Sequence, residues 1–200
     1  LSPIYCRHRR LVKGALDPYQ TIGGKIAFLQ EPGLKLRSVA SPYLAYQLAL
    51  LHFGSSVYSL ARSLPWDCTH DQSKPVQTLQ DHLRKGSTVH SVDLSSATDY
   101  FPLEVQVGLM KALFGNLPDI ALFEHLSKST WLSPIGVVRW NRGQPLGLYP
   151  SFAVFTVTHG ILLWYLNGCS HNDEFFVVGD DVVILRDDLH RKYLKILDEW

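Results

Sequence analysis

FFVVGDDVVIL, residues 175–185, is the stretch that decides the fold of this chain. Two short apolar runs flank Gly179-Asp180-Asp181, the pattern of a β-hairpin with a tight, acidic tip. Neither run carries a charge. Two adjacent carboxylates in that setting raise each other's pKa, and apolar surroundings raise it further. A divalent cation removes both penalties, because hard cations take carboxylate oxygens and a hairpin tip holds them rigidly. Taken alone, the stretch is also compatible with a plain solvent-exposed turn, so the residues around it must decide.

Upstream, residues 91–99 read SVDLSSATD. Residues 88–93 alternate and predict a strand that ends at Asp93. A carboxylate there can face the hairpin tip in one sheet, so that Asp93 and Asp180 bridge two metal ions about 3.5–4 Å apart. The plainer alternative for Asp93 is a strand-end or helix-capping residue beside the turn formers Ser95 and Ser96. Asp99, six residues on, falls past the strand. Between the two acidic sites lies RGQPLGLYPS, residues 142–151, in which two glycines and two prolines define a loop ahead of a buried helix. Loop amides and a helix N-terminus can hold a phosphate.

The remaining pattern predicts alternating strands and helices. Residues 1–24 are basic, broken by Pro and Gly, and read as loop with short elements; 25–29 suit a short strand and 30–33 a turn. Helical spacing covers 42–63, with Gly54 a point of interruption, and also 76–85, 102–114, 119–129, 151–166 and 188–200. Residues 135–140 suggest a strand. The apolar helix over 151–166 is shorter than the ~20 residues of a membrane span and contains Thr156, Thr158, His159 and Gly160, so burial inside the protein is expected.

Composition fits this reading without forcing it. Of 200 residues, 46% are apolar and 18% charged, enough to fill a core and contrary to disorder. The net charge is +1, but residues 1–37 carry seven basic and two acidic side chains, and residues 171–200 eight acidic and four basic. A basic front and an acidic back suit phosphate and metal binding, although an unevenly charged solvated surface looks the same. Cys6, Cys68 and Cys169 lie far apart, with no C-x-x-C pair. Asp67, Cys68, His70 and Asp71 invite a zinc reading; without a second ligand pair, a hydrogen-bonded loop is the expectation. The aromatics Phe152, Phe155, Trp164 and Tyr165 are expected in the core. The chain starts at Leu1, has Met110 as its one methionine and stops at Trp200 inside a predicted helix, so a fragment of a longer protein is expected.

In this order and spacing, the elements resemble the palm of the RNA-dependent RNA polymerases of positive-strand RNA viruses, over roughly residues 25–200. Asp93-x5-Asp99 is similar to motif A, Gly143-Gln144-Pro145-Leu146-Gly147 with Ser151 to motif B, Gly179-Asp180-Asp181 to motif C, and Lys35-Leu36-Arg37 to the basic motif F. The wording DLSSATD, GQPLG and THDQ is most similar to the mitovirus, narnavirus and levivirus-like group. The resemblance implies an α/β (α+β) right-hand palm, an antiparallel sheet flanked by helices, with partial fingers over 1–87, palm over 88–200 and no thumb. It implies catalytic and metal-binding roles for Asp93, Asp180 and Asp181, with two Mg²⁺ ions or Mn²⁺ in their place. It implies nucleotide contacts from Lys35 and Arg37 to the triphosphate, from Asp99 to the ribose, and from Gly143, Gln144 and Ser151 in shaping the pocket. The implied partners are RNA template, nascent RNA and nucleoside triphosphates, in the cytoplasm or mitochondrion of an infected host. Picornavirus-type motif B has Thr and Asn in its helix; here Thr156, Thr158 and His159 occupy that region without an Asn. Two rivals remain: a reverse transcriptase, which shares the palm but typically has an aromatic sugar gate and Ala-Asp-Asp, and a catalytically inactive RNA-binding remnant of an integrated viral element.

Overall fold

A computed structural model describes residues 9–12 and 21–199. Cys6, Arg7, Lys13 and Trp200 lie outside the described residues. In chain order the elements are β1 (Arg9–Val12), β2 (Ile22–Glu31), a 3-10 turn (Pro32–Leu34), β3 (Lys35–Pro42), α1 (Leu44–Ala49), α2 (Leu51–Ser63), α3 (Val76–Arg84), β4 (His90–Asp93), α4 (Ala97–Tyr100), α5 (Leu103–Phe114), α6 (Pro118–Lys128), β5 (Thr130–Ser133), β6 (Gly136–Trp140), α7 (Ser151–Leu166), β7 (Phe175–Val178), β8 (Asp181–Ile184) and α8 (Asp187–Glu199). They form two compact units that interleave along the chain: Leu1–Ser55 with Ser96–Phe152, and Ser56–Ser95 with Ala153–Trp200.

The first unit is built on a mixed sheet in the order β1-β6-β5-β2-β3, in which only β2 and β5 run parallel. Gly23 and Gly24, read from sequence as loop punctuation, lie inside β2 at a shift of register against β5. The physical reason is space. A Cβ on Gly23 would lie 2.6 Å from the buried Trp131 ring, and one on Gly24 2.1 Å from the Ser41 carbonyl oxygen. Gly54 likewise does not interrupt its helix. The break falls at Leu50, and Gly54 sits inside α2, where its missing side chain admits the ring of Tyr149. Phe53 packs on Phe114 and Phe123 with ring centroids 6.0 and 6.2 Å apart.

The second unit carries the antiparallel three-stranded sheet β4-β8-β7. The hairpin strands β7 and β8 are apolar apart from Asp181, and both of their faces are covered. Phe175, Val177, Val182 and Ile184 pack with Leu163 of α7 and Leu189 and Tyr193 of α8. Phe176 packs with Cys68 and Leu185, with Leu79 of α3, Val89 and Val183 against them. Side chains alternate faces along a strand, so the two four-residue strands of the hairpin feed two cores at once. Among the described residues no helix is long and apolar enough to cross a membrane.

Phe155 is buried, but Tyr165, expected in the core, is 69% exposed; it lies on the opposite side of α7 from Leu163, which faces the hairpin. Gly160 lets the same helix meet Trp66: an added Cβ would stand 2.2 Å from the indole Nε1 and 2.6 Å from Cδ1. Trp66 is itself buried, stacked on Trp164 and tilted against Phe175, and has no room to retreat. Gly160→Ala is therefore expected to destabilise the protein by about 1–3 kcal/mol, read as an earlier denaturant midpoint.

Candidate active site

The acidic tip is a two-residue connection. Val178 pairs with Asp181, leaving Gly179 and Asp180 as the central residues of the turn. Gly179 has φ 60°, and Asp180 is not among the residues with positive φ. Glycine first and an ordinary φ second is the pattern of a type II′ turn, whose twist suits a hairpin. Across the sheet, Asp93 is the register partner of Asp181. Directly opposed residues on an antiparallel pair share a face, with Cβ atoms about 4.5–5.5 Å apart. Three carboxylates, from Asp93, Asp180 and Asp181, thus gather at one end of one sheet.

Like charges so placed repel. The Asp181 carboxyl is pushed up, first by partial desolvation, then by the charges of Asp180 and Asp93. Among the described residues no Lys, Arg or His forms an ion pair with any of the three. No group of three or more His, Cys, Asp or Glu among the described residues converges tightly enough to hold a metal alone. Mg²⁺ needs no such cage, since it keeps waters and takes one or two carboxylates plus substrate phosphates. An unneutralised, oxygen-only acidic cluster fits that ion.

Behind the turn lies a residue to which the sequence assigned no role. His159 of α7 is fully buried, with Nδ1 2.8 Å from the carbonyl oxygen of Gly179 and Nε2 2.6 Å from the Tyr193 hydroxyl. A carbonyl only accepts, so Nδ1 carries the hydrogen and donates, and the Tyr193 hydroxyl donates to Nε2. Burial agrees with this neutral form. It lowers the His159 pKa to about 4 against a weaker pull from the Gly179 carbonyl, and it pushes the Tyr193 phenol up. The one available signal in the sequence was a lone histidine in a helix with no charged side chain.

The first unit holds the other nucleotide candidates. Asp99 lies in the four-residue α4 and accepts a hydrogen bond from the indole of Trp140 at 2.7 Å. The motif-B-like loop is threaded against the same segment: the Gln144 amide donates to the Thr98 carbonyl at 2.8 Å. Gly143 is required there, because a Cβ would meet the Thr98 oxygen at 1.9 Å and the Asp99 backbone at 2.7 Å. The Gln144 and Ser151 side chains are buried and bonded to each other and to Gln106 and the Pro145 carbonyl. They set the loop's shape from inside.

Lys35 opens β3, opposite Glu31 in register. Arg37 is bound to Glu31 by an exposed ion pair of 2.7 Å. Exposed pairs of this kind contribute about 0–1 kcal/mol. At the loop weighed as a zinc site, Asp67 accepts from the Thr69 amide and hydroxyl, Asp71 from those of Ser73, and Lys74 donates to the Leu64 and Asp67 carbonyls.

Comparison with known proteins gives the same direction. A family model described as Mitovirus RNA-dependent RNA polymerase matches residues 1–200. The chain is 30% identical over 92% of its length to the RNA-directed RNA polymerase of Cryphonectria parasitica mitovirus 1, of which it spans 23%. It is also 32% and 29% identical to two uncharacterized mitochondrial proteins of Arabidopsis thaliana, over 70% and 66% of its own length and 60% and 69% of theirs. Among solved structures, a human picobirnavirus RNA-dependent RNA polymerase matches with TM-score 0.64 and 14% identity, covering 86% of this chain and 39% of that one. Apo telomerase from Candida tropicalis matches with TM-score 0.64 and 12% identity, covering 94% and 48%. At these identities the structural matches establish the polymerase palm fold and nothing finer.

Proposed function

Since the chain belongs to the mitovirus RNA-dependent RNA polymerase family, we propose that it is the part of such an enzyme that joins nucleotides on an RNA template, copying a positive-strand RNA genome. The observation that carries the proposal is the register of Asp93 against Asp181, with Asp180 next to Asp181 in the turn between β7 and β8. In the proposed reaction the 3′-oxygen of the nascent RNA attacks the α-phosphorus of a nucleoside triphosphate, the bond to the β-phosphate oxygen breaks, and pyrophosphate leaves. Asp93 and Asp180 would hold two Mg²⁺ or Mn²⁺ ions, with Asp181 in support; such ions would lower the pKa of the attacking hydroxyl and offset charge on the leaving group. Lys35 and Arg37 neutralise the triphosphate. Asp99 accepts a hydrogen bond from the ribose 2′-hydroxyl, directly or through a neighbour, and Gly143, Gln144 and Ser151 shape the pocket. Residues 1–87 serve as partial fingers and 88–200 as palm.

Because the palm fold is common to a viral RNA polymerase and to telomerase, the choice of nucleotide needs its own test. The polymerase that contains this chain, given Mg²⁺ and a primed RNA template, is expected to incorporate NTPs at least about a hundredfold more efficiently than dNTPs. A site built to hydrogen-bond a hydroxyl rejects the analogue lacking it by up to about 10⁴–10⁵-fold, so a hundredfold is the floor of the expectation. A preference for dNTPs overturns the choice. One observation favours a second reading: the likeness to two plant mitochondrial proteins suits an integrated, catalytically silent remnant that binds RNA. Binding without synthesis in the same assay identifies it. The proposed setting is the cytoplasm or mitochondrion of an infected host.

A further inference from the structure

Building on the polymerase reading, we propose that His159 is a positioning residue that locks the peptide between Gly179 and Asp180 and so sets the direction in which the Asp180 carboxylate leaves the turn. The carbonyl it binds belongs to the central peptide of that turn. Peptide units are planar, so holding one oxygen fixes the whole plane, including the amide nitrogen of Asp180. The central peptide is also the part of a β-turn that can flip. From the II′ pattern, a flip gives type I′, which needs positive φ at both central residues. Asp180 would then leave the sheet in another direction, away from its present relation to Asp93. His159 opposes the flip with a buried donor, 2.8 Å from the Gly179 oxygen. Tyr193 occupies the far ring nitrogen at 2.6 Å, so the ring cannot turn over without breaking both bonds. Phe155 and Tyr193 pack on the imidazole with centroids 5.4 and 5.7 Å away. Two helices, α7 and α8, thereby brace the turn from behind while its carboxylates face outward.

The test uses the full-length polymerase and two readouts: Mn²⁺ binding without nucleotide, followed by loss of the free-ion EPR signal, and kcat against KM for NTPs. His159→Leu is expected to weaken Mn²⁺ binding and lower kcat about tenfold, the factor one hydrogen bond is worth, with KM within about twofold. His159→Asn, whose amide nitrogen stands near the place of Nδ1, is expected to recover most of both; Gln, whose amide reaches toward Nε2, is not. A purely structural histidine would lower the melting point in all three without separating Asn from Gln. Wild-type Mn²⁺ binding and kcat in His159→Leu overturn the proposal. If the Leu variant does not fold, equal Mn²⁺ binding by the Asn and Gln variants overturns it. Asp180→Ala, run alongside, separates the two levels. If it binds Mn²⁺ as wild type does, the metal-site reading itself fails and this proposal with it; if it binds weakly while His159→Leu does not, only the positioning role fails.

Discussion

Asp180→Ala in the full-length polymerase is expected to cut nucleotide incorporation about 10³-fold or more, and Asp93→Ala to do the same, while neither lowers the melting temperature. The two halves of this expectation have one cause. Asp93 and Asp181 are register partners, and Asp180 adjoins Asp181 at the turn. The electrostatic pressure is visible at Asp181, whose carboxyl is pushed up by desolvation and by both neighbours. No described basic group relieves it by ion pairing. Deleting one carboxylate therefore removes repulsion from the folded protein, and stability stays level or rises. Catalysis is expected to move the other way, because on the proposed mechanism the same oxygens would hold the ions that support the phosphoryl transfer. A thousandfold loss corresponds to about 4 kcal/mol of transition-state stabilisation, in the range expected for a metal-held charge. Incorporation assays paired with thermal melts check both. Unchanged incorporation removes Asp180 from the mechanism, and a collapsed melting temperature converts the loss into a folding effect.

Gly143→Ala is expected to reduce incorporation about a hundredfold and to destabilise by about 1–3 kcal/mol. The conflict is with backbone alone: the added carbon would stand 1.9 Å from the Thr98 oxygen and 2.7 Å from the carbonyl carbon and oxygen of Asp99. No rotamer change relieves that. The loop must lift from the segment carrying Asp99, breaking the bond from the Gln144 amide to the Thr98 carbonyl and loosening the one from Leu103 to the Arg142 carbonyl. Displacement on the order of 1 Å near reacting groups costs about a hundredfold in rate. Gly108→Ala is the control. It lies in α5 with nothing within 4 Å of the added carbon, so it is expected to be neutral or slightly stabilising. Equal losses in the two variants would show that helix and loop glycines are being lost for some reason other than this contact.

Much of the fold was legible because local rules act over a few residues. The strand ending at Asp93 and the amphipathic face of Leu189 and Tyr193 rest on periodicities of two and 3.6, and the hairpin around Gly179 and the helix from Ser151 on apolar runs bounded by turn residues; tertiary contacts reinforce all four. Elements that the pattern missed share a different property. β3 and β5 mix polar residues into short runs, and β2, read as strand only over 25–29, hides two glycines; β5 is held as strand by a partner distant in sequence, Lys25 against Leu132, and β3 by the local hairpin it closes with β2, from Glu31 against Lys35 to Gly24 against Pro42. The compact units interleave along the chain, Ser96–Phe152 belonging with its start and Ser56–Ser95 with its end, a grouping set by contacts between distant segments.

The candidate site divides along the same line. Residue types alone announced the acids, because carboxylates beside uncharged strands and glycines at a tight turn carry their own physical cost wherever they sit. What those types could not convey is which acid opposes which, that Gln144 and Ser151 turn inward to hold a loop, or that a histidine in an apolar helix grips the turn from behind. Such pairings join positions tens of residues apart through register and packing, and a backbone's closing geometry is set by the whole sheet and core, not by any segment's own preference.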